Sequence, residues 1–298
     1  MNYEFEIIGP EKIDKFLREL QSLEQDIEYP LEDGKGNFII RHGKEYSPFF
    51  TQQGNKTRFV VMKINSQLIG TAAGMWKKIS LFDKNYNGLY IADLKIRSGH
   101  RKKGILKNLL WHLLSRWAFT ADYRGWDFCY FCAMLKNGEG VDKSFKGFNP
   151  AKLATPSALI NIYMVEPTIL SALDIKSLPK IDPEKSVNLS PMRNELILWN
   201  DGKKDIISSE NQSIFRFGHL HPEIFFNENS SNLKEAASII KTKKGLACFA
   251  IDDRQGDIIS WLKSNGITTK TKCKIFSFSP FAPSIKHSRN INISTGEI

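Results

Sequence analysis

The strongest constraint on the fold is a strand, a helix and a strand that follow one another between residues 89 and 135. Residues 89–96 (LYIADLKI) form an apolar run after the turn-like pair Asn87 and Gly88. From residue 105 the apolar positions recur in pairs four apart, which predicts an amphipathic helix of about four turns. Residues 126–135 are almost continuously apolar, as in a strand buried on both faces. A helical crossover predicts that the two strands are adjacent and parallel.

The residues before this unit predict further strands of the same sheet. Residues 3–8 resemble a short strand, and Pro10 opens a helix with apolar residues at the spacing of one helical face. Residues 24–57 show no sustained period, and we expect an irregular segment with one helical turn. Two apolar runs separated by Asn65 and Ser66 predict a hairpin, which the 89–96 strand extends into an antiparallel meander. The fold class is therefore α/β (α+β), a mixed central sheet with flanking helices.

A second part of the chain follows a proline-rich segment. Pro179, Pro183 and Pro191 lie in a stretch without hydrophobic period, so we predict two domains, residues 1–172 and residues 173–298. In the second, LACFAI, DIISWLKSNG and KCKIFSF predict strand, helix and strand, hence a smaller α/β domain. Because this order of strand, helix and strand resembles that of residues 126–165, the second domain is a candidate degenerate copy of the first domain's second half.

The amino-acid composition limits the cellular compartment and the classes of binding partner that we expect. Hydrophobic residues at 41% and charged residues at 25% are typical of a globular chain and exclude a disordered or collagen-like one. No apolar run approaches the roughly 20 residues of a membrane span, the N-terminal segment is acidic, and four cysteines are too few for a disulfide framework. We expect a cytoplasmic protein without a membrane partner. The net charge of +10 favours a polyanion or a phosphate-rich ligand.

The turn between the 89–96 strand and the following helix has the composition of an anion site. Gly99 and Gly104 allow close backbone approach, and unpaired N–H groups of the first helical turn face outward with the positive end of the dipole. Cationic side chains concentrate there, namely Arg97, Arg101, Lys102, Lys103 and Lys107. A pyrophosphate fits such a site. The alternative is a solvated basic helix start that binds nothing.

Residues 90–106 (YIADLKIRSGHRKKGIL) resemble the acyl-CoA-binding motif of the GNAT superfamily of N-acyltransferases. The motif is Arg or Gln, two residues, Gly, one residue, and Gly or Ala. Arg101 and Gly104 match it, whereas Leu106 departs from it. The order of predicted elements over residues 3–165 is also similar to that fold. The resemblance implies an acyl-CoA co-substrate, acetyl-CoA or another, and transfer of its acyl group to a primary amine.

The resemblance also implies the cofactor-binding residues. In this family the strand before the motif bulges and splays from its parallel neighbour, freeing backbone groups for the pantetheine arm. Leu94, Lys95 and Ile96 occupy that position, and one freed amide there would polarise the thioester carbonyl. The pyrophosphate would be wrapped by the backbone of the turn and helix start, which comprises Arg101, Lys102, Lys103, Gly104, Ile105 and Leu106.

The catalytic base is less evident, because many relatives carry a Glu at the position of Tyr90 or Ala92. Asp93 is the only carboxylate of the strand, and strand alternation directs it away from the Tyr90 face. We predict a water relay that touches Tyr90, with Asp93 either at its end or purely structural. Lys143 occupies the position of the family's general acid, a Tyr four residues before a Gly-Phe pair, here Gly147 and Phe148. Tyr163 or water is the alternative acid.

Other motifs have simpler explanations. Cys129 and Cys132 have CxxC spacing but lie within an apolar strand, and His219 and His221 have no evident partners, so we expect no metal. An alternative function is a catalytically weak GNAT-fold module that binds a polyanion or a protein. A nucleic acid is possible as the polyanion but is not favoured. A cationic stripe would support that alternative, and its candidate members are Lys77, Lys78, Lys146, Lys152, Lys241, Lys243 and Lys244. The acceptor and the oligomeric state stay open.

Overall fold

The computed structural model describes residues 3–30, 36–82, 84–120, 123–135, 149–179, 186–190, 195–225 and 232–298. The elements up to residue 165 are β1 (Glu4–Ile8), α1 (Pro10–Ile13), α2 (Leu17–Gln25), β2 (Tyr29–Pro30), β3 (Asn37–His42), α3 (Pro48–Thr51), β4 (Lys56–Ile64), β5 (Gln67–Leu81), β6 (Lys84–Ile96), α4 (Ile105–Phe119), β7 (Phe128–Met134) and β8 (Thr155–Val165). The later elements are α5 (Pro167–Ala172), β9 (Ser186–Asn188), β10 (Ile197–Trp199), β11 (Lys204–Ser208), β12 (Ile214–Phe215), β13 (Phe217–Leu220), α6 (Asn232–Thr242), β14 (Leu246–Asp252), α7 (Gly256–Ser264), β15 (Thr271–Phe278) and β16 (Asn290–Asn292).

A ten-stranded mixed sheet forms the centre of the molecule, in the order β1-β4-β5-β6-β7-β15-β8-β14-β13-β10. The β6/β7 and β13/β14 pairs are parallel, and the other neighbours are antiparallel. The predicted meander, the parallel crossover through α4 and the mixed sheet with flanking helices are thus confirmed. At the β4–β5 turn, Asn65 and Ser66 both have positive φ (48° and 64°), as a tight two-residue hairpin turn requires.

The central sheet is shared between the two regions separated in sequence by the proline-rich segment. Strand β15 lies between β7 and β8 and pairs with both, so a C-terminal strand fills the middle of an N-terminal sheet. The strands of both regions therefore contribute to one hydrogen-bonded sheet. The division into two domains at residues 172/173 stays a prediction.

The prediction of an irregular segment at 24–57 is wrong in part. Strand β3 lies within it and joins a second sheet of order β12-β11-β3-β2. Its principal partner is β11, where Lys204 is opposite His42 and Ser208 is opposite Phe38. The strand depends on a partner more than 160 residues away in sequence, so the local residue pattern does not reveal it. The predicted helical turn corresponds to α3.

Helices cover both faces of the sheet's N-terminal half. Helix α4 packs Ile105 and Leu109 against a cluster that includes Val60 and Met62 of β4. Helix α2 packs Leu20 and Leu23 into the main core, which also contains the β4, β5 and β6 side chains of Phe59, Met75 and Tyr90. Among the described residues, no helix is long and apolar enough to cross a bilayer.

The insertion of β15 gives a stability prediction. Ile275 is fully buried on β15 between Cys132 of β7 and Ala158 of β8. Because Ile275→Ala leaves a cavity between strands of both regions, we expect the free energy of unfolding to fall by about 2–5 kcal/mol. Ile214→Ala, at an isoleucine that is 56% exposed, is the matched control and should change it little. Chemical denaturation measures both, and equal losses would contradict the assigned strand order.

Candidate functional site

Strands β6 and β7 run together briefly and then separate. Their parallel pairing comprises three residue pairs, from Gly88 with Phe128 to Tyr90 with Tyr130. Beyond Tyr90, β6 continues to Ile96 along β5, whereas β7 continues to Met134 along β15. A wedge therefore opens between the two strands, and it exposes one edge of each.

A β-bulge lies on the β6 side of this wedge. Thr71 pairs with Lys95 and Ala73 pairs with Ala92, so Asp93 and Leu94 together face a single residue of β5. Asp93 adopts a left-handed conformation with φ 56°, which is uncommon for a non-glycine residue. The bulge interrupts the alternation of side chains along the strand.

The bulge corrects the prediction for the direction of Asp93. Its carboxylate accepts a hydrogen bond from the hydroxyl of Tyr46, a residue of the same core cluster as Tyr90. It does not point away from the Tyr90 face, because the left-handed residue breaks the period of two on which that prediction depended. Asp93 is thereby held beside the Tyr90 face of the sheet.

A buried chain of charged groups holds the bulge. Lys95 Nζ lies 2.6 Å from Asp93 Oδ1 and 3.1 Å from Glu24 Oε1. Glu24 in turn accepts from His42, at 2.5 Å from Nδ1 and 3.0 Å from the backbone nitrogen. Burial alone would lower the pKa of Lys95, but the carboxylates of Asp93 and Glu24 outweigh it and raise that pKa. Lys95 is thus a fixed buried cation, and its side chain is not available to a cofactor phosphate.

The turn after β6 ends in a glycine that caps α4. Arg101 Nε donates to the Ile96 carbonyl at 2.8 Å, which folds the turn back on the end of β6. Gly104 is the N-cap residue with φ 77°, and a Cβ built there would meet no atom within 4 Å. The N–H groups of the first helical turn have no intrahelical acceptors, and they carry the positive end of the helix dipole. Arg101, Lys102 and Lys103 are exposed beside them.

Tyr90 lies where the strands begin to separate. Its ring is 2% exposed and stacks on Tyr130 at 4.9 Å between centroids, with Lys77 Nζ 4.9 Å from its centroid. Burial, followed by the neighbouring Cys132, raises the pKa of Tyr90 well above its ordinary value. The hydroxyl therefore stays protonated, and it can pass a proton along a relay without serving as an anionic base.

Two buried lysines that the sequence did not indicate as catalytic or cofactor-binding residues are Lys77 and Lys204. Lys77 forms a buried ion pair with Glu297 at 2.9 Å, and Glu297 accepts from Ser190 at 2.5 Å. Lys204 of β11 is buried, its ammonium lies 4.6 Å from the Phe49 ring centroid, and it donates to the main-chain oxygen of Ile298. Both sets of contacts join residues at least 90 positions apart, so no local sequence pattern predicts them.

The other candidate acids and ligands lie elsewhere. Tyr163 packs in a second core cluster, stacked on Phe249 at 5.2 Å, and burial raises its pKa to about 12. Lys143, Gly147 and Phe148 lie outside the described residues. His219 and His221 are both buried. In the described part of the chain the four cysteines are free, and no group of three or more His, Cys, Asp or Glu residues is arranged to hold a metal.

Two parallel strands that separate beyond Tyr90, followed by a bulge and a glycine-capped helix start, are the arrangement that the resemblance of residues 90–106 implies. Residues 18–131 match the family model of the acetyltransferase (GNAT) family. The match includes the motif at residues 90–106, and the resemblance seen in the sequence is confirmed for this part of the chain. The sequence matches no curated protein.

Solved structures show the same fold over nearly the whole chain. A crystal structure of Saccharomyces cerevisiae N-myristoyltransferase with bound myristoyl-CoA has 11% identity, a TM-score of 0.58, and coverage of 97% of this chain and 84% of that chain. A second crystal structure of that enzyme with bound myristoyl-CoA has 12% identity, a TM-score of 0.53, and coverage of 97% and 89%. Both regions of the chain thus share the fold of these structures.

The buried charge chain gives a prediction with a matched control. Lys95→Met leaves the carboxylates of Asp93 and Glu24 buried without their cation, so we expect a loss of about 3–5 kcal/mol in the free energy of unfolding. Lys63→Met removes a more exposed pair with Glu6, 2.6 Å apart, and should cost about 0–1 kcal/mol. Urea denaturation of both variants is the measurement. If Lys95→Met costs no more than Lys63→Met, Lys95 does not hold the bulge.

Proposed function

We propose that this chain is an N-acyltransferase that moves an acyl group from acyl-CoA to a primary amine. The observation that carries the proposal is the separation of β6 from β7 beyond Tyr90, followed by the Asp93–Leu94 bulge and the glycine-capped start of α4. The freed strand edge suits an extended pantetheine arm, and the helix start suits the pyrophosphate. Together they suit the two chemically distinct parts of one coenzyme.

Each predicted cofactor-binding residue has a specific part in this arrangement. The backbone of Leu94, Lys95 and Ile96 bonds the pantetheine amides as a further strand would. Lys95 acts through its backbone alone, because its side chain is committed to Asp93 and Glu24. The amides of residues 101–106 wrap the pyrophosphate, and the exposed Arg101, Lys102 and Lys103 add charge.

The reaction is direct attack of the amine nitrogen on the thioester carbonyl. A freed amide at the bulge polarises that carbonyl and stabilises the oxyanion, and binding both substrates together adds proximity. An alkylammonium has a pKa near 10.4, so the acceptor must lose a proton first. A water relay that touches Tyr90 removes it in this proposal. Asp93 positions the relay and the bulge, because Tyr46 and Lys95 already hold its carboxylate.

The acyl group is a separate question from the coenzyme. The proposed contacts are to pantetheine and phosphate groups, which acetyl-CoA and longer acyl-CoAs share. The similar yeast structures hold myristoyl-CoA, so acetyl-CoA and myristoyl-CoA are both candidate donors here. Isothermal titration with each, followed by turnover assays against primary amines, would identify the donor and the acceptor.

The net charge of +10 favours one alternative, a module of the same fold that binds a polyanion. Lys78, Lys152, Lys241, Lys243 and Lys244 are exposed, as a cationic stripe requires. Lys77 is instead buried against Glu297, and Lys146 lies outside the described residues. Binding of duplex DNA with a steep salt dependence, together with no binding of acyl-CoA, would favour this alternative.

The proposed coenzyme site gives a direct mutational test. Gly104→Glu places volume and negative charge where the pyrophosphate is proposed to bind, so we expect affinity for acetyl-CoA to fall at least about tenfold, or about 1.4 kcal/mol. Gly266→Glu is the control, because Gly266 also has positive φ (75°) and open space around its Cβ position but lies after α7. Both substitutions place a side chain at a residue with positive φ and so share the same backbone strain. The difference between the two variants therefore reports the added volume and charge at the proposed pyrophosphate site. Unchanged affinity in Gly104→Glu would refute the assignment.

A further inference from the structure

Helix α4 is apolar on its outer face as well as on the face that packs against β4. Trp111, Leu114 and Ala118 lie at the spacing of one helical stripe, opposite the buried stripe, and all three are exposed. Trp111 is 64% exposed, and Phe119 at the end of the helix is 86% exposed. A helix that is apolar all round is typical of an element covered on every side. The outer face of α4 therefore has the character of a surface that another apolar medium covers.

The exposed apolar surface continues beside the helix. Phe281 is exposed, stacks on Trp117 at 6.3 Å between ring centroids, and lies 6.4 Å from the ring of Trp126. Trp117 follows Leu114 by three positions, so these rings border the outer face on its Leu114 side. An exposed apolar surface of this kind marks an interaction site. We call it the α4 patch, and its members are Lys107, Trp111, Leu114, Ala118, Phe119 and Phe281.

The charges around the α4 patch all have one sign. Residues 94–121 contain seven Lys and Arg residues and no Asp or Glu. Lys107 is exposed one helical turn before Trp111, and Arg116 is exposed near the other end of the helix. Arg124 also lies at that end, where it donates to two main-chain oxygens of the last turn at 3.1 and 2.5 Å. The apolar surface is thus flanked by cations at both ends, which suits an anionic partner.

We propose that the α4 patch docks on the surface of an anionic lipid bilayer. Trp111, Phe119 and Phe281 would enter the headgroup region, where aromatic rings are favoured, and Leu114 would contact the acyl boundary. Lys107 and the arginines would attract the lipid phosphates and carboxylates. The expectation of no membrane partner depended on the lack of a spanning segment, and it does not extend to a helix that lies flat on a bilayer.

A bilayer fits the α4 patch better than other large partners do. The patch is the convex side of one helix, and a fluid bilayer moulds around single protruding rings, whereas a protein interface needs a complementary partner surface. A second copy of the chain would bring two cationic surfaces without nearby acids together, and like charges repel. A nucleic acid would stack bases on the rings but would leave Leu114 and Ala118 without an apolar contact.

Sedimentation of the full chain with lipid vesicles tests the proposal. We expect binding to phosphatidylcholine vesicles that contain about 30% phosphatidylserine. Each cation near an anionic surface strengthens binding about fivefold, so affinity for pure phosphatidylcholine should be at least about fivefold lower. Equal affinity for both vesicles, or no binding to either, would contradict the proposed docking.

Single substitutions locate the surface that binds. Trp111→Ser and Phe119→Ser should each weaken binding to the anionic vesicles about tenfold, because each removes a large ring from the bilayer. Lys107→Gln should weaken it about fivefold and leave binding to pure phosphatidylcholine unaltered. Ile214→Ser is the control, since Ile214 is also exposed but its neighbour Phe215 packs on the opposite face of the central sheet from α4. Circular dichroism verifies that each variant is folded.

Tryptophan quenching separates insertion of the rings from simple charge attraction. With phosphatidylcholine that is brominated in its acyl chains, we expect the protein's fluorescence to be quenched on binding. Trp111→Phe should bind with nearly the same affinity and show less quenching, because an apolar ring remains but the reporter is lost. Undiminished binding by Trp111→Ser and Phe119→Ser would show charge attraction without insertion and overturn the inference.

Two further results would also overturn the inference. One is a dimer, seen by analytical ultracentrifugation without lipid, that Trp111→Ser dissociates. The other is binding of single-stranded DNA by a chain that does not bind vesicles. Neither result depends on acyl-CoA binding, so the docking surface and the proposed coenzyme site are tested separately.

Discussion

The buried ion pair between Asp93 and Lys95 is the interaction on which the candidate site depends. A left-handed non-glycine residue costs on the order of 1–3 kcal/mol, so Asp93 keeps this conformation only because its surroundings hold it. Lys95 and Tyr46 hold the carboxylate, and Glu24 with His42 holds Lys95. The bulge that results interrupts the pairing of β6 with β5 at Asp93 and Leu94, and it lies on the stretch of β6 that no longer pairs with β7.

The shared sheet explains how the later region of the chain contributes to the same site. Strand β15 pairs with β7 from Cys129 to Met134, which fixes the β7 arm of the wedge. Strand β11 pairs with β3, and this pairing places Lys204 against the core of the first region. Glu297 reaches Lys77, whose ammonium lies over the Tyr90 ring. Residues of both regions therefore lie around the candidate site, although the sequence indicates candidate site residues mainly in the first.

Local features of the sequence predicted the parts of the fold that depend on near neighbours. The period of α4, the Asn65–Ser66 turn and the spacing of Arg101 and Gly104 are short-range patterns, and the structure has the corresponding helix, hairpin and capped turn. Asp93 was predicted to point the wrong way, because alternation along a strand does not show where a bulge will form. Strand β3 and the contacts of Lys204 could not be predicted, because their partners are brought together only by the tertiary fold.

Backbone protection tests directly whether the freed edge of β6 and the start of α4 form one coenzyme site. Hydrogen–deuterium exchange would be followed by mass spectrometry for the full chain with and without acetyl-CoA, and in parallel with myristoyl-CoA. We expect the amides of residues 94–96 and 101–106 to exchange more slowly together when a bound acyl-CoA accepts their hydrogen bonds. Coenzyme binding that leaves both segments unprotected, or protects only a surface remote from them, would contradict it.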